Sequence, residues 1–327
     1  MSHELKGKNV LVTGGAGFIG SSLVRKLEER KCAVTVLDNL IAGRKEHLLG
    51  TKAELVVGDI RNAELLRYLL KKNSIEYVFH LAAEPYIPKG YEDPEVMFQV
   101  NTLGSINVML QAYKAGVKRI LHYSTSEVYG TARSLPMNEE HVTTPHSIYA
   151  VAKLAADRAA YILWKEKKIP VIILRQFNCC GPREAQPYII PEIISQFTHK
   201  GTTLTLGNIY AKRDFTFVDD ASIGAIKLME TPDLEGQVIN LGRGKNWSVK
   251  EIAEEIADVM KIPNWGIEID RSRLRPYDVD ELLCDITYFN KLTGGMQYTD
   301  FKEGLRQTIE WYNNNNKKWS WEKPKEE

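Results

Sequence analysis

The 327 residues carry 43 Lys plus Arg against 42 Asp plus Glu, a formal charge of +1, and 43% are apolar. That balance, with no basic run long enough to follow a phosphate backbone, speaks against nucleic acid as a partner. No apolar stretch approaches the roughly 20 residues needed to cross a bilayer, and the polar start from Met1 to Lys6 lacks the apolar region of a signal peptide. The expectation is a cytoplasmic protein that does not enter a membrane. Cys32, Cys179, Cys180 and Cys284 match no metal-ligand spacing and are too few to staple a chain this long, which predicts reduced thiols and no metal.

Along the first half, short β-branched runs alternate with longer helical patterns, the signature of a parallel sheet covered by helices on both faces. Strands are predicted at Asn9–Thr13, Ala33–Leu37, Glu54–Val57, Tyr77–Leu81, Arg119–Tyr123 and Val171–Arg175, and helices near 18–29, 63–72, 94–115 and 147–167. Each helix is long enough for a right-handed crossover, so the fold class is α/β, a doubly wound (Rossmann) sheet with a smaller mixed α/β lobe. The first domain spans 3–178, with a strand-helix pair near 215–241 returning to it. The lobe covers 179–312, with helices at Ser248–Met260, N-capped by Ser248, and at Phe301–Asn313. Residues 313–327, polar throughout, read as a frayed tail.

Directly after the first predicted strand, Gly14, Gly17 and Gly20 of GGAGFIG lie in a strand-turn-helix context. Small residues there let backbone N–H groups approach a pyrophosphate at the N-terminus of the following helix. Asp38 closes the second strand 18 residues beyond Gly20, where its carboxylate can accept from both hydroxyls of an adenosine ribose and would repel a 2'-phosphate. NAD is the predicted cofactor.

Tyr149 and Lys153 lie at i and i+4 of a predicted helix, on one face. An ammonium beside a phenol lowers the phenol's pKa and suits it to exchange a hydroxyl proton. Thr125, Ser126 and Glu127 end the strand at 119–123, on the edge where doubly wound sheets place their ligands.

With these pieces in order the sequence resembles the extended short-chain dehydrogenase/reductase family, within it the NAD-dependent nucleotide-sugar epimerases and dehydratases. It looks closest to the N-acetylhexosamine 4,6-dehydratases. The likeness also rests on Gly58-Asp59-Ile60, His80-Leu81-Ala82-Ala83, Asn101, Arg175-Gln176-Phe177-Asn178, Gly181-Pro182, Arg213-Asp214-Phe215-Thr216 and Arg275-Pro276.

The resemblance implies that Tyr149 is the acid/base, Lys153 its activator and ribose anchor, and Thr125 a partner of the reacting hydroxyl, with Ser126 and Glu127 beside it. It places Phe18, Ile19, Asn39, Asp59, Ile60, Leu81, Ala82, Ala83 and Asn101 on the cofactor. Glu84, Tyr86, Asn178, Arg213 and Arg275 would hold a nucleotide-diphosphate sugar, the arginines as guanidinium forks on phosphate. Ala152 and the Cys179-Cys180 pair depart from the residues usual at those places and touch the pocket wall.

A carboxylate at 127 suggests chemistry beyond a 4-epimerase, which needs no second base, so the expected reaction is 4,6-dehydration. UDP-glucuronate decarboxylation, 4-epimerisation and a non-catalytic NAD-binding role are the alternatives. The helices near 94–115 and 147–167 are apolar over more than one face, which predicts a homodimer through them.

Overall fold

The computed structural model describes residues 3–274 and 279–322. In chain order the elements are β1 (Asn9–Thr13), α1 (Phe18–Glu29), β2 (Ala33–Asp38), β3 (Glu54–Val57), α2 (Ala63–Lys72), β4 (Tyr77–His80), α3 (Lys89–Glu92) and α4 (Pro94–Phe98). A π-helical turn (Gln99–Gly104) then runs into α5 (Ser105–Lys114), followed by β5 (Arg119–Thr125), α6 (Ile148–Lys167), β6 (Val171–Gln176), β7 (Asn178–Cys180) and α7 (Ile189–His199). The remainder is β8 (Thr203–Leu206), β9 (Lys212–Phe217), α8 (Val218–Glu230), β10 (Val238–Leu241), β11 (Asn246–Ser248), α9 (Val249–Met260), β12 (Gly266–Ile269), α10 (Thr287–Thr293) and α11 (Phe301–Asn314).

Seven parallel strands form one sheet in the order β10-β6-β5-β4-β1-β2-β3. Runs such as Val10-Leu11-Val12 and Ile172-Ile173-Leu174 are fully buried because helices cover both faces, which is why these strands read as continuous apolar stretches rather than alternating ones. The chain winds outward through β2 and β3 on one side of β1 and through β5, β6 and β10 beyond β4 on the other. The crevice where the winding reverses therefore opens between β1 and β4, outside their carboxyl ends.

The smaller lobe is built from the β7-β9-β11 sheet, the β8-β12 pair, and α7, α9 and α11 around Ile193, Phe197, Trp247, Ile256 and Leu305. The strand-helix pair expected near 215–241 divides between the two bodies. β9 joins the small sheet, whereas α8 packs into the main core and β10 adds the seventh strand beside β6.

The tail also differs from expectation, since Trp319 is 0% exposed and belongs to the lobe core. Its polar approach makes a turn, with Asn316 and Lys317 at φ 59° and 54°, and reverses the chain so that Trp319 stacks on Tyr312 at 4.8 Å between ring centroids. Asparagine tolerates that left-handed backbone, so a run that looks like a solvated end serves as a turn for two tryptophans. Among the described residues no helix is long and apolar enough to cross a membrane.

Candidate active site

A cavity of about 760 Å³ fills the crevice and continues beneath the smaller lobe. Its cofactor end begins at Gly14, whose φ of +73° is a left-handed conformation and whose added Cβ would stand 2.7 Å from the Ala82 backbone nitrogen. At Gly20 a Cβ would lie 2.1 Å from the Gly14 carbonyl oxygen. Only hydrogen fits at both, so the strand can turn directly into α1 and leave its first N–H groups facing the cavity. Asp38 holds this turn from the side, accepting from the Ala16 N–H at 2.9 Å and from the Leu40 N–H at 2.9 Å. Each oxygen keeps lone-pair capacity for a ribose hydroxyl. Gly14, Gly17, Phe18, Ile19, Gly20, Asp38, Asn39, Ile60, Leu81, Ala82 and Ala83 all line the cavity.

Asp59 and Asn101 stand back from it. The Asp59 carboxylate closes on Arg61 at 2.9 and 2.8 Å, which holds it below the usual carboxylate range. Asn101, fully buried in the π-helical turn, accepts from the Glu84 N–H at 2.8 Å and donates to the Glu84 carbonyl at 3.1 Å. It thereby shapes the loop that carries Glu84 and Tyr86.

A buried hydrogen-bond chain connects that turn to the sheet. Ser105 Oγ donates to the Asn101 carbonyl (2.7 Å), so it must accept from His80 Nε2–H (2.8 Å), and His80 Nδ1 accepts from the Thr13 hydroxyl (2.7 Å). Thr13 Oγ1 in turn accepts from the Ala82 N–H at 3.3 Å.

The reactive groups meet at the end of β5. Thr125, its last residue, accepts the Glu127 N–H at 3.2 Å and hydrogen-bonds Tyr149. Glu127 and Tyr149 are half-buried on the cavity wall, whereas Ser126 is buried behind it. Ser147 caps α6 by accepting from the Ala150 N–H at 3.1 Å. The helix thereby presents Tyr149 and, one turn on, Lys153, which lines the cavity and donates to the Tyr123 carbonyl.

Burial lowers Lys153 to about 8, opposed by the Asp157 carboxylate. The Tyr149 phenol is pushed up, first by burial and then by the Glu127 carboxylate, with the Thr125 hydrogen bond acting the other way. The expectation that an ammonium beside Tyr149 lowers the phenol's pKa is therefore corrected: burial and the Glu127 carboxylate set the direction of the shift.

On the far side Glu84, Tyr86, Asn178 and Arg213 line the cavity, while Arg275 lies outside the described residues. Glu84 is paired with Lys89 at 2.7 Å. Buried polar atoms of wall residues without a hydrogen-bond partner among the described residues include Tyr123 Oη, Ser124 Oγ, Gln176 Oε1, Asn178 Oδ1 and Glu184 Oε2. Such atoms cost free energy unless a polar ligand meets them. Glu184, only 2% exposed, has its carboxyl pushed well above the usual range by burial. Sequence reasoning missed Tyr123, Gln176 and Glu184 as cavity residues. Their only signal was lying in or beside the marked runs Thr125-Ser126-Glu127, Arg175-Gln176-Phe177-Asn178 and Gly181-Pro182.

A glycine turn flanked by the Asp38 carboxylate, facing a Tyr-Lys-Thr-Glu constellation across one switch-point cavity, belongs to an NAD-dependent enzyme of the extended short-chain dehydrogenase/reductase class. The family model described as GDP-mannose 4,6 dehydratase matches residues 11–308, and the chain belongs to that family. It is 30% identical to a putative UDP-glucose 4-epimerase of Methanocaldococcus jannaschii, across 94% of this chain and 99% of that protein. It is 29% identical to a UDP-N-acetyl-alpha-D-glucosaminuronate decarboxylase of Bacillus cytotoxicus, across 93% and 98%. The dTDP-glucose 4,6-dehydratase of Streptomyces venezuelae, solved with NAD bound, superposes with a TM-score of 0.87 at 28% identity, across 96% of this chain and all of that one.

Proposed function

We propose that the chain is a nucleotide-sugar 4,6-dehydratase acting on an NDP-hexose or NDP-N-acetylhexosamine. The observation that carries this reading is a second carboxylate, Glu127, on the cavity wall within electrostatic reach of Tyr149.

NAD, when bound, supplies a hydride acceptor for carbon 4, a hydride donor for carbon 6 and a positive charge that favours phenolate. Tyr149 takes the 4-hydroxyl proton, and Thr125 holds that oxygen. The resulting ketone acidifies carbon 5. Glu127 removes the carbon 5 proton and delivers it to the departing 6-hydroxyl, which leaves as water; carbon 5 regains a proton from solvent, matched by the proton Tyr149 gives up to restore the phenolate, so one water is lost overall. Lys153 orients the ribose and steadies the phenolate, and Arg213 with Asn178 addresses the diphosphate.

We also propose a homodimer through α4, the π-helical turn, α5 and α6, where Phe98, Leu103, Tyr113, Val151 and Ile162 are exposed; a monomer by light scattering at micromolar concentration would refute it.

The central test incubates the enzyme with a panel of nucleotide sugars and reads product mass. Loss of one water supports dehydration, loss of carbon dioxide means decarboxylation, and unchanged mass means epimerisation. Tyr149→Phe should lower turnover about 10²- to 10⁴-fold. Glu127→Gln should still oxidise carbon 4 yet retain the carbon 5 proton, leaving a 4-keto sugar with its 6-hydroxyl and trapped reduced cofactor. Full dehydratase activity in Glu127→Gln would make Glu127 a turn residue and sink the assignment.

A further inference from the structure

We infer that the C-terminal Trp319-Ser320 segment positions the cofactor loop: Ser320 holds His47, His47 holds the Ala16 carbonyl, and the smaller lobe thereby fastens the glycine turn that receives NAD. This rests on the family's use of NAD and is independent of which sugar reaction follows.

Ala16 lies inside the turn from Gly14 to Gly20. Its N–H is taken by Asp38, and its carbonyl accepts from the Arg44 N–H at 3.0 Å and from His47 Nδ1 at 2.9 Å. A carbonyl can only accept, so Nδ1 carries the ring proton. Burial lowers His47 to about 4, which leaves the ring neutral and makes Nε2 an acceptor. The Ser320 hydroxyl, 273 positions away in the chain, donates to Nε2 at 2.6 Å. His47 and Ser320 are both buried, so neither group has water to replace the other.

Ser320 is fixed in turn by its neighbours. Trp319 is stacked between Tyr312 (4.8 Å) and Trp321 (5.4 Å), and its indole N–H donates to Ser195 Oγ on α7 at 2.8 Å. The strap is thus rooted in the core of the smaller lobe and reaches the main body at the His47 ring, which in turn holds the backbone of the cofactor turn. Removing the Ser320 hydroxyl leaves His47 Nε2 buried and unpaired and frees the ring to turn away from Ala16. The Arg44 N–H still holds the carbonyl, so the turn should loosen rather than unfold.

The experiment uses the full chain stripped of cofactor. NAD affinity is measured by titration calorimetry, and amide hydrogen exchange is followed in a peptide covering residues 14–20. Ser320→Ala should weaken NAD binding about 3- to 10-fold, the range of one lost buried hydrogen bond, and speed exchange in that peptide. Ser320→Thr, which restores a hydroxyl, should bring both readings back toward the original. A Ser320→Ala protein with lower thermal stability but unchanged NAD affinity and unchanged loop exchange would reduce the strap to a structural contact and overturn the inference. So would a threonine variant that stays as weak as alanine.

Discussion

The two ends of the cavity are built on opposite principles. At the cofactor end, polar atoms are already satisfied by protein: Asp38 by two backbone N–H groups, Ala16 on both its N–H and its carbonyl, and Thr13, His80, Ser105 and Asn101 by one another. At the catalytic and sugar end, Tyr123 Oη, Gln176 Oε1, Asn178 Oδ1 and Glu184 Oε2 are buried without partners among the described residues, and Lys153 is desolvated enough to lose part of its affinity for a proton. The first arrangement suits a group that stays bound, because rigid backbone costs little to organise once and is reused every turnover. The second keeps unmet hydrogen-bonding capacity for a ligand that comes and goes, at the expense of ligand-free stability.

Three substitutions would break or sharpen this contrast. The largest effect should come from Gly20→Ala, whose Cβ has nowhere to go beside the Gly14 carbonyl oxygen 2.1 Å away. Displacing that turn by even an ångström should weaken NAD by about 100-fold, so the purified variant should carry no cofactor by absorbance of the denatured supernatant. A variant that retains NAD would show the cofactor end to be pliable.

Lys153→Met should come next, as a stabilising change in the ligand-free chain. The folded pKa of about 8 lies below the ordinary 10.5, so between those values the unfolded chain binds a proton that the folded chain does not, and stability rises with pH. Below 8 the penalty of burying the ammonium is fully present. Removing it should add about 2 kcal/mol at pH 7 after allowing for the lost bond to the Tyr123 carbonyl. The gain should fade as pH climbs toward 10.5, and thermal melts across that window check it. A gain that does not change with pH would point to packing rather than charge.

Glu184→Met should give the smallest shift, about 1 kcal/mol in the same stabilising direction, because an unpaired buried acid is replaced by a thioether of similar length. KM for the sugar nucleotide should rise in the same variant. Improved stability with unaltered KM would place Glu184 outside the sugar's reach.

What sequence alone determined is what short-range chemistry controls. The strand, glycine turn, helix and Asp38 lie within 30 residues of one another, and helical geometry puts Tyr149 and Lys153 on one face wherever α6 is placed. Six of the seven sheet strands were legible as short runs rich in β-branched residues, continuous where helices bury both faces, as in β1 and β6, and shorter at the exposed edge strand β3.

Tertiary structure decided the rest. Asp59, Asn101 and Ser126 are engaged by Arg61, by the Glu84 backbone and by burial behind β5, contacts that no local pattern encodes. Glu184, Gln176 and Tyr123 became cavity residues through long-range packing that no local pattern encodes, and the polar run before Trp319 became a turn only because Tyr312 and Ser195 stood ready to receive the indole. A hydrogen bond between His47 and Ser320 has no sequence periodicity to announce it. It exists because two bodies folded from distant parts of the chain meet at the imidazole that holds one carbonyl of the cofactor turn.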